Sequence, residues 1–366
     1  MDVPEISFQN VLEIPRWEKV WDEFVLTAPD AWYRHLRLFR NYTLAATVDK
    51  MPSDQSFFIF RGDEPIGLAP VLFSHVVDDN GYQGLEAGYY GIPLPWPCFK
   101  SEFLGHHALE LRVFEEIERR AINQGAGRIQ FILSPPTPSM EDEKRFKALI
   151  ETRNHIDSRY PSHWMKIKED SLSHVRSRYK RYIKKFKDQY ELSIIEGKAV
   201  DEKFIQTYMD THIKDAGGQF RSRDSYIALA NLARNGFGFF SIATCVSTGK
   251  IVGFLFVILF KKQAYDGSVA VDPEHEKNHV SHLLKWVTIE TLIERKATDY
   301  ELGIRAMLPT RQRVPSKKDY GISFFKDGWA RGEQKSILVA EKFLTREALI
   351  LYNQSLVNQL AKYFKC

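Results

Sequence analysis

The stretch Ala264–Trp286, AYDGSVAVDPEHEKNHVSHLLKW, decides the fold. Its first part, rich in small and β-branched residues, reads as a strand. A turn follows at Asp272–Pro273, and Val280, Leu283, Leu284 and Val287 then recur at helical spacing. A strand running through a turn into a helix is where many α/β enzymes hold a phosphate, because the first N–H groups of the helix lack partners. Here the turn has no glycine and carries two glutamates and a histidine. The frame is that of a phosphate-binding unit, but the side chains are not.

Working outward, FFSIATCVSTGKIVGFLFVILF reads as a hairpin turning near Ser247–Lys250. Its apolar run Ile251–Phe260 is far too short to span a bilayer and is read as a strand buried on both faces. A helix over about His279–Lys296 leads to a closing strand, DYELGI. The N-terminal half has the same order. FFIFRGDEPIGLAPVLF, Phe57–Phe73, is a hairpin around GDEP; GYYGIPLPWPCF is irregular; Leu109–Gln124 has helical spacing; GAGRIQFIL is a glycine stop and a strand. The repeated order implies a diverged internal duplication. The expected fold is α/β (α+β), two domains each built on a mixed, largely antiparallel sheet flanked by helices. Proline and charge at Ser134–Phe146 interrupt the pattern, and a helix over Glu141–Thr152 links the halves. This divides residues 1–155 from 156–366, with Thr345–Phe364 as a packing helix.

A chain of 366 residues with 44% hydrophobic content suits two domains with real cores. The formal net charge of +4 makes it no polycation, so attraction to an anionic partner has to come from a local patch. MDVPEISFQN has no basic region followed by an apolar one, so no secretory signal is expected. The three cysteines, Cys98, Cys245 and Cys366, form no CxxC pair, which favours a reducing, cytoplasmic location. Cys98, among prolines, is read as a small buried hydrophobe and not as a nucleophile.

The densest positive segment is HVRSRYKRYIKKFKDQY, His174–Tyr190. Val175, Tyr179, Tyr182, Ile183 and Phe186 fall on one helical face, and Arg176, Arg178, Lys180, Arg181, Lys184, Lys185 and Lys187 precede the first acid, Asp188. A solvated, solubilising helix is the plain alternative. The run of cations without acids favours an anionic partner: RNA, a nucleotide-linked substrate or a membrane surface.

At this point the sequence resembles the FemABX-like transferases of the GNAT acyltransferase superfamily. The resemblance covers most of the second half, through RSRYKRYIKKFKDQYELSIIEG, DEKFIQTYMDTHIKDAGGQFRSRDSYIALA, YDGS, LLKWVTIETLIERKATDYELGI and YGISFFKDGWARG. It implies two tandem GNAT-type domains and transfer of an acyl or aminoacyl group to an amine. Donors in the family are aminoacyl-tRNA or acyl-CoA, used as co-substrates with no tightly bound cofactor. Acceptors are amines such as those of peptidoglycan or sugar precursors of the cell envelope, with no stable membrane insertion. The long helical hairpin of some members is missing, and Trp329 stands where phenylalanine is usual.

The resemblance carries over Phe325–Lys326, which in the family lies at the acyl-donor end, with Lys326 stabilising the oxyanion or holding a donor phosphate. Asp266 and Glu301, on neighbouring expected strands, are candidate bases, with substrate-assisted proton transfer as an alternative. Arg176, Lys180, Arg181, Lys184, Lys185, Tyr265 and Ser268 are the expected donor-binding residues. Acyl-CoA-using GNAT domains place an arginine or glutamine and two small residues, glycine or alanine, where this chain has Glu276, His279 and Ser281. Glu276 repels a pyrophosphate and His279 obstructs close backbone approach, so aminoacyl-tRNA is the leading donor and acyl-CoA the alternative. A catalytically silent GNAT-fold protein that binds an anionic ligand is the alternative from another class. His275, His279 and His282 fall at i, i+4 and i+7, a spacing that raises a zinc site. His275 belongs to the turn and nothing else marks a metal enzyme, so no metal is expected.

Overall fold

The computed structural model describes residues 5–77, 82–88, 92–133 and 140–364. Ser134–Ser139 of the expected linker, Tyr89–Gly91 of the irregular block, Met1–Pro4 and Cys366 lie outside the described residues. The chain forms two compact units.

The first unit comprises Met1–Tyr160, Ala306–Ser316 and Ser336–Cys366. This differs from the division at residue 155. The strand Val339–Phe343 pairs antiparallel with Arg128–Ile132 and, on its other edge, with Ile156–Asp157. The chain therefore returns to the first unit near its end, and the helix Arg346–Phe364 goes with it. Hydrophobic pattern marks a segment as a strand but does not say which sheet it joins. A buried charge pair joins the two strands: Arg128 Nε donates to Glu341 Oε1 at 2.8 Å, with Glu341 at 0% exposure. The hairpin Phe57–Arg61/Glu64–Ala69 and the helix His107–Asn123 form where the sequence places them.

The second unit comprises Pro161–Arg305 and Lys317–Lys335. Its seven-stranded sheet runs Tyr190–Ile195, Gly238–Cys245, Lys250–Phe260, Gln263–Val271, Asp299–Ile304, Tyr160–Lys166 and Gln334–Ile337. The first four strands are antiparallel neighbours, and Gln263–Val271 runs parallel to Asp299–Ile304. That parallel pairing covers only Gln263–Tyr265 against Asp299–Glu301. Beyond it, Gln263–Val271 stays with Lys250–Phe260, while Gly303 and Ile304 stay with His163 and Ser162. A bulge at Gly267 re-aims the first of these strands, since Phe256 opposes Ser268 while Val257 opposes Asp266. The two parallel strands therefore part after Tyr265 and Glu301. The helix Val280–Glu294 packs on this sheet with Val280, Leu283, Leu284, Ile289 and Leu292 buried.

Candidate active site

A pocket of about 1040 Å³, lined wholly by residues of the second unit, lies against the bulged strand. Asp266, Gly267, Ser268 and Val269 line it from the bulged strand, and Ser281, His282, Leu284 and Lys285 from the helix Val280–Glu294. Gly321, Ile322, Phe325 and Lys326 line it from the helix Lys317–Ala330. Asp215, Leu255, Pro273, Glu274, Glu276, Lys277 and His279 complete the lining.

One wall carries a closed charge cluster. Lys285, 2% exposed, donates from Nζ to Asp266 Oδ2 at 2.7 Å and to the Tyr300 hydroxyl at 2.8 Å. Tyr300 donates to Asp266 Oδ1 at 2.9 Å. Burial pushes the Lys285 ammonium down from its ordinary pKa, against the pull of Asp266, and pushes the Tyr300 hydroxyl well up. Both groups thus meet the cost of burial by pairing with one carboxylate.

Lys326 supplies a second ammonium. It is close enough to Lys285 and His163 to lower both their pKa values. His163 is fully buried, with Nδ1 3.2 Å from Asp327 Oδ1, and burial depresses it to about 4. Phe325 packs edge-on to His282 at 4.9 Å and tilted on Tyr179 at 5.9 Å. His282 is 9% exposed, and burial with the nearby His279 and Arg178 depresses it to about 3, so it is a neutral, aromatic-like part of the wall.

The turn preceding the helix differs from the sequence-based expectation in one respect. His279 adopts φ 56°, the left-handed conformation that suits a glycine, and its ring stacks on Tyr182 at 3.6 Å and 17°. Its side chain becomes part of the wall, drawn toward the basic helix. The helix starts here without a side-chain cap. Glu276 lines the pocket with Asp215, whose carboxyl pKa is raised by burial and, more weakly, by Glu276. His275 turns away from the other two histidines and its Nδ1 meets the Tyr190 hydroxyl at 2.8 Å. Among the described residues no three His, Cys, Asp or Glu side chains stand together as a metal site.

The basic helix spans Ser177–Phe186, shorter than the charged run. Of the expected apolar face, Val175, Tyr179, Ile183 and Phe186 are buried and Tyr182 is half-buried. Arg181, Lys184 and Lys185 are exposed. Lys180 Nζ donates to Ser173 O at 2.5 Å, and Arg176 lies 4.3 Å over the Phe324 ring. None of these five cations lines the pocket. The helix flanks the pocket through Tyr182, while Arg178 and Lys185 help to lower the pKa of His279.

Of the remaining expected residues, Ser268 lines the pocket and accepts from the Tyr208 hydroxyl at 2.7 Å and Arg221 Nη2 at 3.1 Å. Tyr265 is half-buried and outside the lining. Glu301, 8% exposed, accepts from Ser162 Oγ at 2.9 Å and is also outside it. Adjacent strand positions do not bring Glu301 to Asp266, because its register partner is Tyr265 and the strands part just beyond. The sequence by itself does not mark Lys285, Tyr300 or His282 as catalytic. Lys285 left one signal: a charge set among the apolar residues of LLKW, which has to find a partner if buried.

Residues 173–311 match the family described as acetyltransferase (GNAT) domain. No curated protein matches the sequence. Three solved structures share the fold. The crystal structure of FemX is 12% identical, covering 95% of this chain and 99% of that one at a TM-score of 0.63. L-PGS from Bacillus licheniformis is 12% identical, covering 88% and 96% at 0.55. The C-terminal domain (DUF2156) of a putative lysylphosphatidylglycerol synthetase from Agrobacterium fabrum is 11% identical, covering 93% and 96% at 0.56. Over residues 173–311 the second unit is thus similar to an acetyltransferase (GNAT) domain, and the chain has the FemX-like fold that the resemblance implies.

Proposed function

We propose that the chain is an N-acyltransferase that moves an aminoacyl group from aminoacyl-tRNA to the amine of a cell-envelope precursor or small molecule. The observation that carries this reading is the pocket against the bulged strand, with the Lys326 ammonium in its lining beside the Lys285–Asp266 pair. An amine nitrogen attacks the acyl carbonyl carbon, the C–N bond forms and the carbonyl oxygen becomes an oxyanion. Lys326 is the group that stabilises this charge, worth about 10²–10³ in rate for a single well-placed donor. Asp266 accepts a hydrogen bond from the attacking amine and orients it. As the C–O bond to the tRNA ribose breaks, the nitrogen's proton passes to the departing oxygen, so Glu301 needs no role. Phe325 and His282 form an apolar wall for the acyl chain.

Two features support an aminoacyl donor. Asp215 and Glu276 line the pocket and suit the ammonium of an aminoacyl group. The exposed Arg181, Lys184 and Lys185 lie on the helix that flanks the pocket, where a polyanion can dock. A tRNA donor puts the reaction in the cytoplasm, and no helix among the described residues is long and apolar enough to cross a membrane. A second reading, an acyl-CoA donor, is favoured by the uncapped helix start at His279 and by the match to the acetyltransferase (GNAT) family.

The test compares labelled acyl-CoA with charged tRNA for binding and for loss of label to an amine pool. Label is expected to leave charged tRNA. Lys184→Glu with Lys185→Glu is expected to weaken tRNA binding and reduce its salt slope by about 1–2. Turnover of acyl-CoA alone, or tRNA affinity unchanged by the charge reversal, overturns the tRNA reading.

A further inference from the structure

Lys326 belongs to the helix Lys317–Ala330, yet its ammonium reaches across to a strand. The point it reaches is Gly303, the second-last residue of Asp299–Ile304. Gly303 has φ +93°, a conformation that side chains rarely adopt. A Cβ built on it stands 3.0 Å from Lys326 Nζ, and that is the single heavy atom it meets within 4 Å among the described residues. A side chain at this position would therefore press on the ammonium, which would have to give way by some tenths of an ångström.

The location has a structural cause. Gly303 pairs with His163 on one side, and this pairing becomes irregular between His163 and Trp164. On its other side the parallel neighbour has left, since pairing ends at Tyr265 and Glu301. A notch forms where one strand has lost its partner and bears no side chain. The ammonium there is within electrostatic reach of His163 on one flank and of Lys285, paired with Asp266, on the other.

We propose that Gly303 is a positioning residue for acyl transfer: its missing side chain seats the Lys326 ammonium at the parting of the strands. This rests on the reading of Lys326 as the group that meets the acyl carbonyl oxygen. Oxyanion stabilisation depends on donor placement at the scale of a hydrogen bond, so a displacement of some tenths of an ångström lowers the rate without removing the charge. The φ of Gly303 and its emptiness are separable demands. Alanine violates both, whereas asparagine tolerates positive φ better than other side chains and still fills the notch.

The experiment is a double-mutant cycle on the full chain, using whichever of charged tRNA or acyl-CoA it turns over. Gly303→Ala and Gly303→Asn are expected to lower kcat about 10- to 100-fold with KM changed less than about threefold. In a Lys326→Ala background the same substitutions are expected to change the remaining kcat less than about twofold. Full additivity, or Gly303→Asn with wild-type kcat, overturns the proposal while leaving Lys326 in place. Wild-type kcat in Lys326→Ala overturns the reading of Lys326, and the positioning role with it. Trace acetylation with acetic anhydride, read peptide by peptide, gives a measurement independent of substrate. Gly303→Asn is expected to change the labelling rate of Lys326 at least about twofold but not that of Lys277 at the pocket mouth. An unchanged Lys326 rate overturns the proposal.

Discussion

Lys285 is the residue whose surroundings the sequence least discloses. It sits among the buried side chains of its helix, 2% exposed, and its ammonium donates to two other elements: to Asp266 on one strand and to Tyr300 on the next. Three polar groups therefore satisfy one another inside an apolar layer. Removing the cation alone leaves a carboxylate in a poorly solvated place. Lys285→Met is expected to lower stability by about 3 kcal/mol in urea unfolding, and adding Asp266→Asn to recover at least half. Equal stability of both variants would mean that the pair is solvated and carries no such cost. The sequence offers Asp266 as a candidate base from its place on one of two neighbouring expected strands. Its commitment to Lys285 and Tyr300 was not legible, because that depends on where a helix and two strands meet.

At the scale of elements, the basic helix shows why a charge run does not report its own role. Ser177–Phe186 is ten residues, too short for a stable isolated helix. It is held by its apolar face, and most closely through Tyr179, whose hydroxyl donates to Phe325 O at 3.1 Å. Gly328 lets this contact form: a Cβ there would stand 2.2–2.4 Å from two ring carbons and the hydroxyl oxygen of Tyr179. Arg176 N donates to Gly328 O at 3.0 Å, at the start of the same helix. Gly328→Ala is expected to cost about 2 kcal/mol and to make the basic helix the first segment to exchange its amide hydrogens. A thermal midpoint within one degree of wild type and unchanged exchange would contradict this. The apolar spacing of Val175, Tyr179, Ile183 and Phe186 was readable. That the tyrosine ring rests on a glycine of another helix was not.

At the scale of the whole molecule, each unit buries a neutral histidine. His155 in the first unit has both ring nitrogens buried without a hydrogen-bond partner, and His282 in the second has its Nδ1 so. Burial depresses each to about 3. The unfolded chain protonates both near the ordinary histidine value of about 6.5, while the folded chain keeps them neutral until about 3. Between those values the unfolded state binds more protons, so stability is present above pH 6.5 and is lost as pH falls. The expected slope is about 1.4 kcal/mol per pH unit for each histidine. His155→Phe and His282→Phe should each flatten the pH dependence of unfolding between pH 6.5 and 4, which urea titrations at stepped pH would measure. Slopes equal to wild type would show that neither histidine is neutral in the folded state.

Hydrophobic spacing and turn residues were enough to place the strands around Gly267, the helix after His279 and the repeated order of the two halves, because period and chain punctuation are local properties. The resemblance to FemABX-like transferases anticipated the fold, since its motifs are spaced by that fold. Tertiary structure alone decided the rest. It returned Val339–Phe343 to the first unit, excluded Glu301 from the pocket lining, brought Lys285 and Tyr300 to Asp266, and set the Lys326 ammonium against Gly303. Each of these depends on which elements become neighbours and at what register. That is fixed by burying long-range partners together, and no local pattern in the chain encodes it.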